Sequence, residues 1–223
     1  MRYIFFCSLL LIVCHSTSAQ NGTVKDIDGN VYKTVKIGTQ IWMAENLKTA
    51  HYRDGSPITE MEDSTQWVNA ANSNSQTGTW CYYDNNAENN TTYGKLYNWY
   101  AVADTHHLCP TGWHVPSDRE WIVLERYLGG DGIAGGKMKA TTLWKAPNCR
   151  ADNSSGFTAL PAGKHDIYGT SVFLSREGYF WSCTEYNSTS RSAWFIALGY
   201  NGNNAFRNSS YKGLGLSVRC VGD

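Results

Sequence analysis

The most regular alternation of apolar and polar side chains lies within residues 109–130. Trp121, Leu124 and Leu128 stand at positions i, i+3 and i+7, which is the spacing of one face of an α-helix, and charged residues occupy the other face. The pattern predicts an amphipathic helix with one buried face. We expect the rest of the chain to pack around this helix.

Both ends of the predicted helix are specified by their residues. Ser117 and Glu120 have the spacing of a capping box, in which each side chain accepts a hydrogen bond from a backbone N–H that the helix leaves unpaired. Gly129 and Gly130 follow the last apolar position and can adopt the left-handed conformation that ends many helices. Prolines upstream make the approach rigid, so Cys109 becomes a fixed anchor just before the helix.

Shorter patterns on either side of the helix predict β-strands. An Asp-Gly turn at 28–29 between the β-prone runs 24–26 and 31–35 predicts a hairpin, and an apolar strand follows at 41–43. The Asp-Gly segment has part of the spelling of a calcium-binding loop, but it lacks the other spaced ligands, so we interpret it as a turn. Further elements are predicted as strands at 80–83, 178–184, 192–198 and 215–221 and as a second short helix at 95–103.

Segments rich in glycine, asparagine and serine separate these elements, with at most single helical turns at 65–71 and 137–144. No internal repeat occurs in the sequence, and no linker is long enough to divide the chain into two domains. The sequence thus predicts a single α+β domain with two short helices, small antiparallel sheets and long loops.

Residues 1–19 have the parts of a secretory signal peptide: a positive start, an apolar run and a small-residue cleavage site. The apolar run is shorter than the roughly 20 residues that span a bilayer, and no later segment has the pattern of a membrane span. We therefore predict an exported protein, secreted or at the cell surface, with a periplasmic location as the alternative, whose domain is residues 20–223. Cys14 leaves lipid attachment open, although Val13 is larger than the residue that usually precedes a lipidated cysteine.

The charge balance limits the partners that we expect. Lys+Arg and Asp+Glu both number 19, so the formal net charge is zero and no long-range field attracts nucleic acid or an anionic membrane. The chain holds nine Trp and fourteen Tyr, which is more than a core of this size requires. We therefore expect some aromatic side chains to lie on the surface and serve in recognition.

Cysteine usage fits export. Two of the seven cysteines belong to the predicted signal peptide, which leaves five in the domain, and disulfides are the default state in an oxidising compartment. Because five is odd, at least one cysteine lacks an intramolecular partner. The sequence has no C-x-x-C pair and no Cys/His cluster at zinc spacing, so we predict no metal and no cofactor.

Period-two alternation in the predicted last strand places Cys220 on the apolar face, which we expect to be buried. A core-facing cysteine in the last strand suits a bridge to Cys109, which would join the two halves of the fold. Pairings that involve Cys81 or Cys149 remain open alternatives. Our second candidate is Cys149–Cys183, with Cys81 left free.

Five sequence motifs resemble those of one known family. They follow one another through nearly all of the predicted domain: DGNVY at 28–32, IGTQIWMAENL at 37–47, YGKLYNW at 93–99, CPTGWHVPS at 109–117 and SVRC at 217–220. With these motifs the chain resembles the Fibrobacter succinogenes major paralogous domain. The resemblance implies an exported bacterial domain of a kind abundant in Bacteroidota and Fibrobacter, often found on cell-surface proteins and largely without an assigned activity.

The resemblance also implies a fold. The order of elements in this family is similar to that of C-type-lectin-like folds, with a hairpin, two helices, a long loop region and closing strands that a disulfide joins to a helix. Residues 113–121 and the ending at 218–220 also resemble the formylglycine-generating enzymes, which share that fold. Such a likeness specifies an architecture rather than an activity.

The first predicted function is a non-catalytic recognition or adhesion module at the cell surface that binds glycan or protein. Asp152, Asn153 and Asp166 could donate or accept hydrogen bonds to such a ligand, and burial in the core is the alternative for each aromatic candidate. The calcium-binding motifs of C-type lectins are absent from the sequence, so no calcium is predicted. The aromatic side chains that could stack on a ligand are Trp144, Tyr168, Tyr186 and Trp194.

The sequence leaves two alternatives to recognition, an assembly subunit and an enzyme. A structural or assembly subunit of a surface appendage or matrix would suit the odd cysteine, the Asn-rich loops and the zero net charge. An enzyme ranks third, because formylglycine-generating enzymes need two neighbouring reactive cysteines near the C-terminus and no G-x-S-x-G motif occurs in the sequence. His114 and Glu120 could form an acid–base pair, but Glu120 already has a capping role. We therefore predict no enzymatic activity.

Overall fold

The computed structural model describes residues 22–72 and 76–223, in which short helices are combined with several small sheets. The fold is therefore α+β, as the sequence predicts. The predicted signal peptide at 1–19, with Cys14, lies outside the described residues.

The described residues form five α-helices rather than the two that the sequence predicts. The extra helices lack a long apolar repeat: one is mostly polar, one has five residues, and one contains three glycines. The five are α1 Ser64–Asn72, α2 Asn89–Tyr93, α3 Trp99–Val102, α4 Asp118–Tyr127 and α5 Asp131–Met138.

Thirteen strands form four sheets in the described part of the chain. The strands are β1 Gly22–Lys25, β2 Val31–Ile37, β3 Gln40–Met43, β4 Thr59–Glu60, β5 Thr79–Cys81, β6 Leu96–Tyr97, β7 Trp113–His114, β8 Lys164–His165, β9 Ser171–Val172, β10 Glu177–Glu185, β11 Ser192–Gly199, β12 Ala205–Tyr211 and β13 Val221–Gly222. The sheets have the orders β1-β2-β3-β13-β7, β10-β11-β12, β4-β5-β6 and β8-β9. All pairs are antiparallel except β4 with β5, which is parallel.

Helix α4 confirms the predicted central helix. The Ser117 hydroxyl accepts a hydrogen bond from the Glu120 N–H at 3.3 Å, and the Glu120 carboxylate accepts one from the Ser117 N–H at 2.7 Å, so the capping box is complete. Trp121, the first residue of the predicted apolar face, is fully buried. Gly129 and Gly130 have φ angles of 104° and 99°, in the left-handed region that closes the helix.

Two predicted elements differ from the structure. The predicted helix at 95–103 divides into β6 and α3, because Tyr97 forms backbone hydrogen bonds with Leu216 that hold it in a strand. The predicted last strand at 215–221 is a series of isolated bridges that becomes regular only at β13. The sequence also gives little sign of β12, an edge strand whose central residues are exposed and polar.

The central strand β11 lies between two hydrophobic clusters. Ala193 and Phe195 belong to the cluster that contains the disulfide, whereas Ile196 and Leu198 belong to the cluster built around α4. Because successive side chains of a strand point to opposite faces, one strand contributes to both clusters. Trp181 of the neighbouring β10 packs with Phe195, at a ring-centroid distance of 6.2 Å.

The Cys109–Cys220 disulfide is present, with a Cα–Cα distance of 6.0 Å, and both residues are buried. The second candidate pair, Cys149–Cys183, is wrong, because both cysteines are free, as is the buried Cys81. The two belong to different parts of the fold: the Cys149 N–H bonds to the carbonyl of Tyr200, and that of Cys183 to the carbonyl of Pro116.

Arg219, next to the disulfide, is a fully buried cation held by oxygen atoms of two segments. Its Nε donates to Asn46 Oδ1 at 2.9 Å, and its Nη2 donates to the Thr158 carbonyl at 2.7 Å. Nη1 donates to the carbonyls of Met43 and Phe157, and the guanidinium lies 4.4 Å from the centre of the Phe157 ring. Burial lowers the pKa of Arg219 to about 9, so the side chain stays charged at neutral pH.

Removing the disulfide should strongly destabilise the domain. The bridge spans 111 residues, so the loop-entropy model gives a loss of about 4–5 kcal/mol for the Cys109→Ala/Cys220→Ala variant, measured by urea unfolding. Cys183→Ser is the control, because that thiol has no disulfide partner, and we expect its unfolding midpoint to stay close to that of the wild type. Equal effects of the two changes would contradict the structural role of the bridge.

Replacing Arg219 by Met keeps most of the side-chain volume but leaves its buried acceptors without a donor. We expect a loss on the order of 3–5 kcal/mol in the free energy of unfolding. Arg119→Met, at an exposed position of α4, is the matched control and should change stability by less than about 0.5 kcal/mol. A loss at Arg219 no larger than that of the control would show that the buried hydrogen bonds contribute little.

Candidate functional site

The structure separates the four aromatic side chains that the sequence nominates for ligand binding. Trp144 lies in the core with 8% of its surface exposed, and its indole N–H donates to the Ala159 carbonyl at 3.0 Å. Burial in the core, the alternative to ligand binding, is thus correct for Trp144, because a ring that packs in the α4 cluster cannot stack on a ligand. Trp144 is therefore left out of the candidate site.

Tyr168 is the most exposed of the four, at 75%, and lies in the turn that joins β8 to β9. This turn contacts the start of α1, where the Ser64 hydroxyl donates to the Gly169 carbonyl at 2.7 Å. Tyr168 thus belongs to the part of the surface beside α1.

Tyr186 and Trp194 lie together, with ring centroids 5.1 Å apart. The Arg207 guanidinium lies over the Trp194 ring, 3.7 Å from its centroid, a distance typical of a cation–π contact. Trp194 is half-buried, whereas Tyr186 is 49% exposed. We call Tyr186, Trp194 and Arg207 the Trp194 cluster.

Strand register explains how residues distant in sequence form this cluster. Arg207 of β12 pairs with Ile196 of β11, and Trp194 lies two residues before Ile196, so the side chains of Trp194 and Arg207 share one face of the sheet. Ile196 lies on the same face and packs in the α4 cluster of the core. Trp194 and Arg207 therefore lie at the solvent edge of a packed sheet face, and Tyr186 follows directly after the end of β10.

The N-terminus of α4 fixes the position of Arg207. Asp118 accepts two hydrogen bonds from the guanidinium, one of them from Nη2 at 2.7 Å, and its own N–H donates to the Thr184 hydroxyl at 3.0 Å. A carboxylate in the first turn of a helix is also stabilised by the helix dipole. No sequence pattern marks Arg207 or Asp118, because their pairing depends on how the edge strand lies against α4.

His114 lies between two carboxylates. Its Nε2 is 2.8 Å from Glu120 Oε1 and its Nδ1 is 2.6 Å from Asp223 Oδ1, while the other oxygen of Glu120 holds Ser117. Burial acts to lower the pKa of His114, but the hydrogen bonds to Asp223 and Glu120 outweigh it and raise the pKa above its usual value. The structure thus combines the predicted His114–Glu120 contact with the cap, and the imidazole links α4 to the end of the chain.

The described residues contain no group of three or more His, Cys, Asp or Glu side chains that could hold a metal ion. Within 22–72 and 76–223, no helix has both the length and the apolar character needed to cross a membrane.

These observations define an α+β domain, closed by a buried disulfide, with a partly exposed aromatic cluster on one sheet. Residues 35–222 match the model of the Fibrobacter succinogenes major domain, and the chain belongs to that family. The match confirms the family that the five sequence motifs indicate. No curated protein and no solved structure matches the chain.

The His114 contacts predict that stability depends on pH. A raised pKa in the folded state means that the stabilisation is fully present below the unfolded pKa of about 6.5 and is lost as the pH rises through the folded pKa. Replacing His114 by Gln should therefore lower the free energy of unfolding more at about pH 6 than at about pH 9.

The pKa of the His114 ring, followed by NMR, provides the direct measurement. Asp223→Asn should lower this pKa, because one of the two stabilising carboxylates is removed. A pKa that stays the same in this variant would contradict the assignment.

Proposed function

We propose that this chain is an exported, non-catalytic recognition or adhesion module of the cell surface, which binds glycan or protein through the Trp194 cluster. The observation that carries the proposal is the contact of the half-buried Trp194 ring with the exposed Tyr186 and with Arg207, which an ion pair with Asp118 holds in place. Trp, Tyr and Arg are the residue types that most often dominate binding energy at interfaces. Three of them in contact at one exposed position favour recognition over a role in the core.

The physical basis of binding would be preorganisation. The β-sheet register fixes Trp194, and Asp118 holds Arg207 against its ring, so a ligand would meet side chains whose conformational entropy is already lost. Tyr186 supplies an apolar face and a hydroxyl group, a combination that suits sugar rings and polypeptide alike.

A non-catalytic role is supported by the state of the candidate reactive groups. Desolvation of its sulfur and the nearby Glu120 carboxylate raise the pKa of Cys183, so its thiol is not activated as a nucleophile. Both ring nitrogens of His114 contact carboxylates, which leaves neither free to act on a substrate. We further propose a C-type-lectin-like arrangement, in line with a disulfide that links the segment before α4 to the closing segment.

The second candidate function is an assembly subunit of a surface appendage or matrix. Strand β12 favours it, because it is the outer strand of the β10-β11-β12 sheet and edge strands offer backbone groups for pairing with another chain. Assembly through this edge would form oligomers without any added ligand, which separates it from recognition.

Binding should depend on Trp194. We would test the exported domain against arrays of polysaccharides and surface proteins and measure the affinity of each hit by titration. Trp194→Ala should weaken binding at least about tenfold, because stacking area is lost and Arg207 loses its contact.

Tyr168→Ala is the matched control, since it removes an exposed aromatic ring beside α1. Equal losses in the two variants, or a loss only in Tyr168→Ala, would show that the Trp194 cluster is not the binding surface. No binding at all, together with oligomers in sedimentation, would instead support assembly.

A further inference from the structure

A cavity of about 470 Å³ lies between α4, the start of α5 and the start of β12. It adjoins the Trp194 cluster, because the side chain of Arg207 borders both. Apolar and charged groups share its wall, which includes Ile122, Glu125, Asp131, Asn204, Phe206 and Arg207.

Glu125 is the unusual residue of this cavity. Only 6% of its surface is exposed, and its Oε1 is buried without a hydrogen-bond partner. It also lies in the last turn of α4, where the helix dipole disfavours negative charge. Burial, followed by the charges of Asp131 and Asp118, raises its pKa to about 7, and Arg207 opposes this effect only in part.

A gain in folding stability does not explain this carboxyl group, because its burial and its unpaired oxygen both cost free energy. An unsatisfied buried acceptor is unfavourable, and an apolar residue of similar size would fill the position without the cost. Because Glu125 lines the cavity, a donor that enters the cavity could satisfy its oxygen.

The charges around Glu125 favour a cationic donor. The Arg207 guanidinium is already bonded to Asp118. The other charged lining residues are two carboxylates, Glu125 and Asp131, and one cation, Arg126. The half-buried Ile122 adds apolar surface that fits a chain of methylene groups.

The cavity wall is rigid at the side of α5. A side chain at Gly135 would place its Cβ 2.1 Å from the carbonyl oxygen of Asn204, so the helix packs directly on the backbone before β12. The Gly136 N–H also donates to the Asn203 carbonyl at 3.0 Å. Backbone contacts therefore fix α5 relative to the start of β12 at this side of the cavity.

We propose that this cavity binds the ammonium group of a lysine side chain from a partner polypeptide. The Glu125 carboxylate accepts a hydrogen bond from the ammonium group, Asp131 adds a second negative charge, and Ile122 covers part of the methylene chain. This site is separate from stacking at the Trp194 cluster and does not depend on it. It gives the module a second point of contact, one that is selective for protein.

The test uses Nα-acetyl-lysine N-methylamide as the probe and the backbone amide signals of the exported domain as the readout. We expect saturable shifts at residues 130–131 and 204–207, which border the cavity. The same probe acetylated on Nε lacks the charge and should cause much smaller shifts. Methyl glucosaminide, an amine without the methylene chain, should also bind more weakly.

Glu125→Gln should weaken binding of the lysine probe at least about tenfold while leaving the domain folded. The variant keeps the shape but removes the buried charge, so we expect its thermal stability to equal or exceed that of the wild type. Arg119→Gln, at an exposed position of α4, is the control and should bind normally.

Three results would overturn the proposal: no saturable shift with the lysine probe, equal shifts with the Nε-acetylated probe, or unchanged binding in Glu125→Gln. Tighter binding of methyl glucosaminide than of the lysine probe would assign the cavity to an amino sugar and also overturn it. Because these probes do not use Trp194, failure here leaves the result at the Trp194 cluster unaffected.

Discussion

The buried guanidinium of Arg219 holds together the parts of this fold that regular secondary structure does not. It donates hydrogen bonds to Met43 at the end of β3, to Asn46 in the segment that follows, and to the loop at 157–158. The adjacent Cys220 ties the same closing segment to the residues before α4. A charged donor with five N–H groups can satisfy several carbonyls that loops would otherwise leave unpaired in the interior. The closing segment therefore needs no long strand to be fixed.

Lys139 repeats this solution near the candidate site. Its buried ammonium group donates to the carbonyls of Cys149, Gly199 and Gly202, at 3.0, 3.0 and 2.7 Å. Gly199 ends β11 and Gly202 lies in the connection to β12, so this lysine fixes the chain just before the edge strand. The position of Arg207 over Trp194 depends on that register. A buried cation without a carboxylate partner thus orders the chain that leads into the edge strand.

Local patterns in the sequence predict the parts of the fold that depend on neighbouring residues. The capping box at Ser117, the Asp-Gly hairpin and the apolar face of α4 could all be recognised, and the alternation before Cys220 led to the correct disulfide. Helix α5 and strand β12 could not, because tertiary contacts rather than periodicity stabilise a glycine-rich helix and a polar edge strand. The same limit applies to the site: the aromatic residues Tyr186 and Trp194 were visible, but their contact with Arg207 was not.

Helix α4 connects the core to both proposed binding surfaces. Its apolar face, with Trp121 fully buried, fixes the helix against the sheets. Asp118 in its first turn then holds Arg207 against Trp194, and Glu125 in its last turn lines the cavity. The helix dipole stabilises the negative charge of Asp118 and disfavours that of Glu125. Asp118 is therefore a structural anchor, whereas one carboxylate oxygen of Glu125 is buried without a hydrogen-bond donor. The rigidity that the core gives to α4 is what allows the two acidic residues to have these different roles.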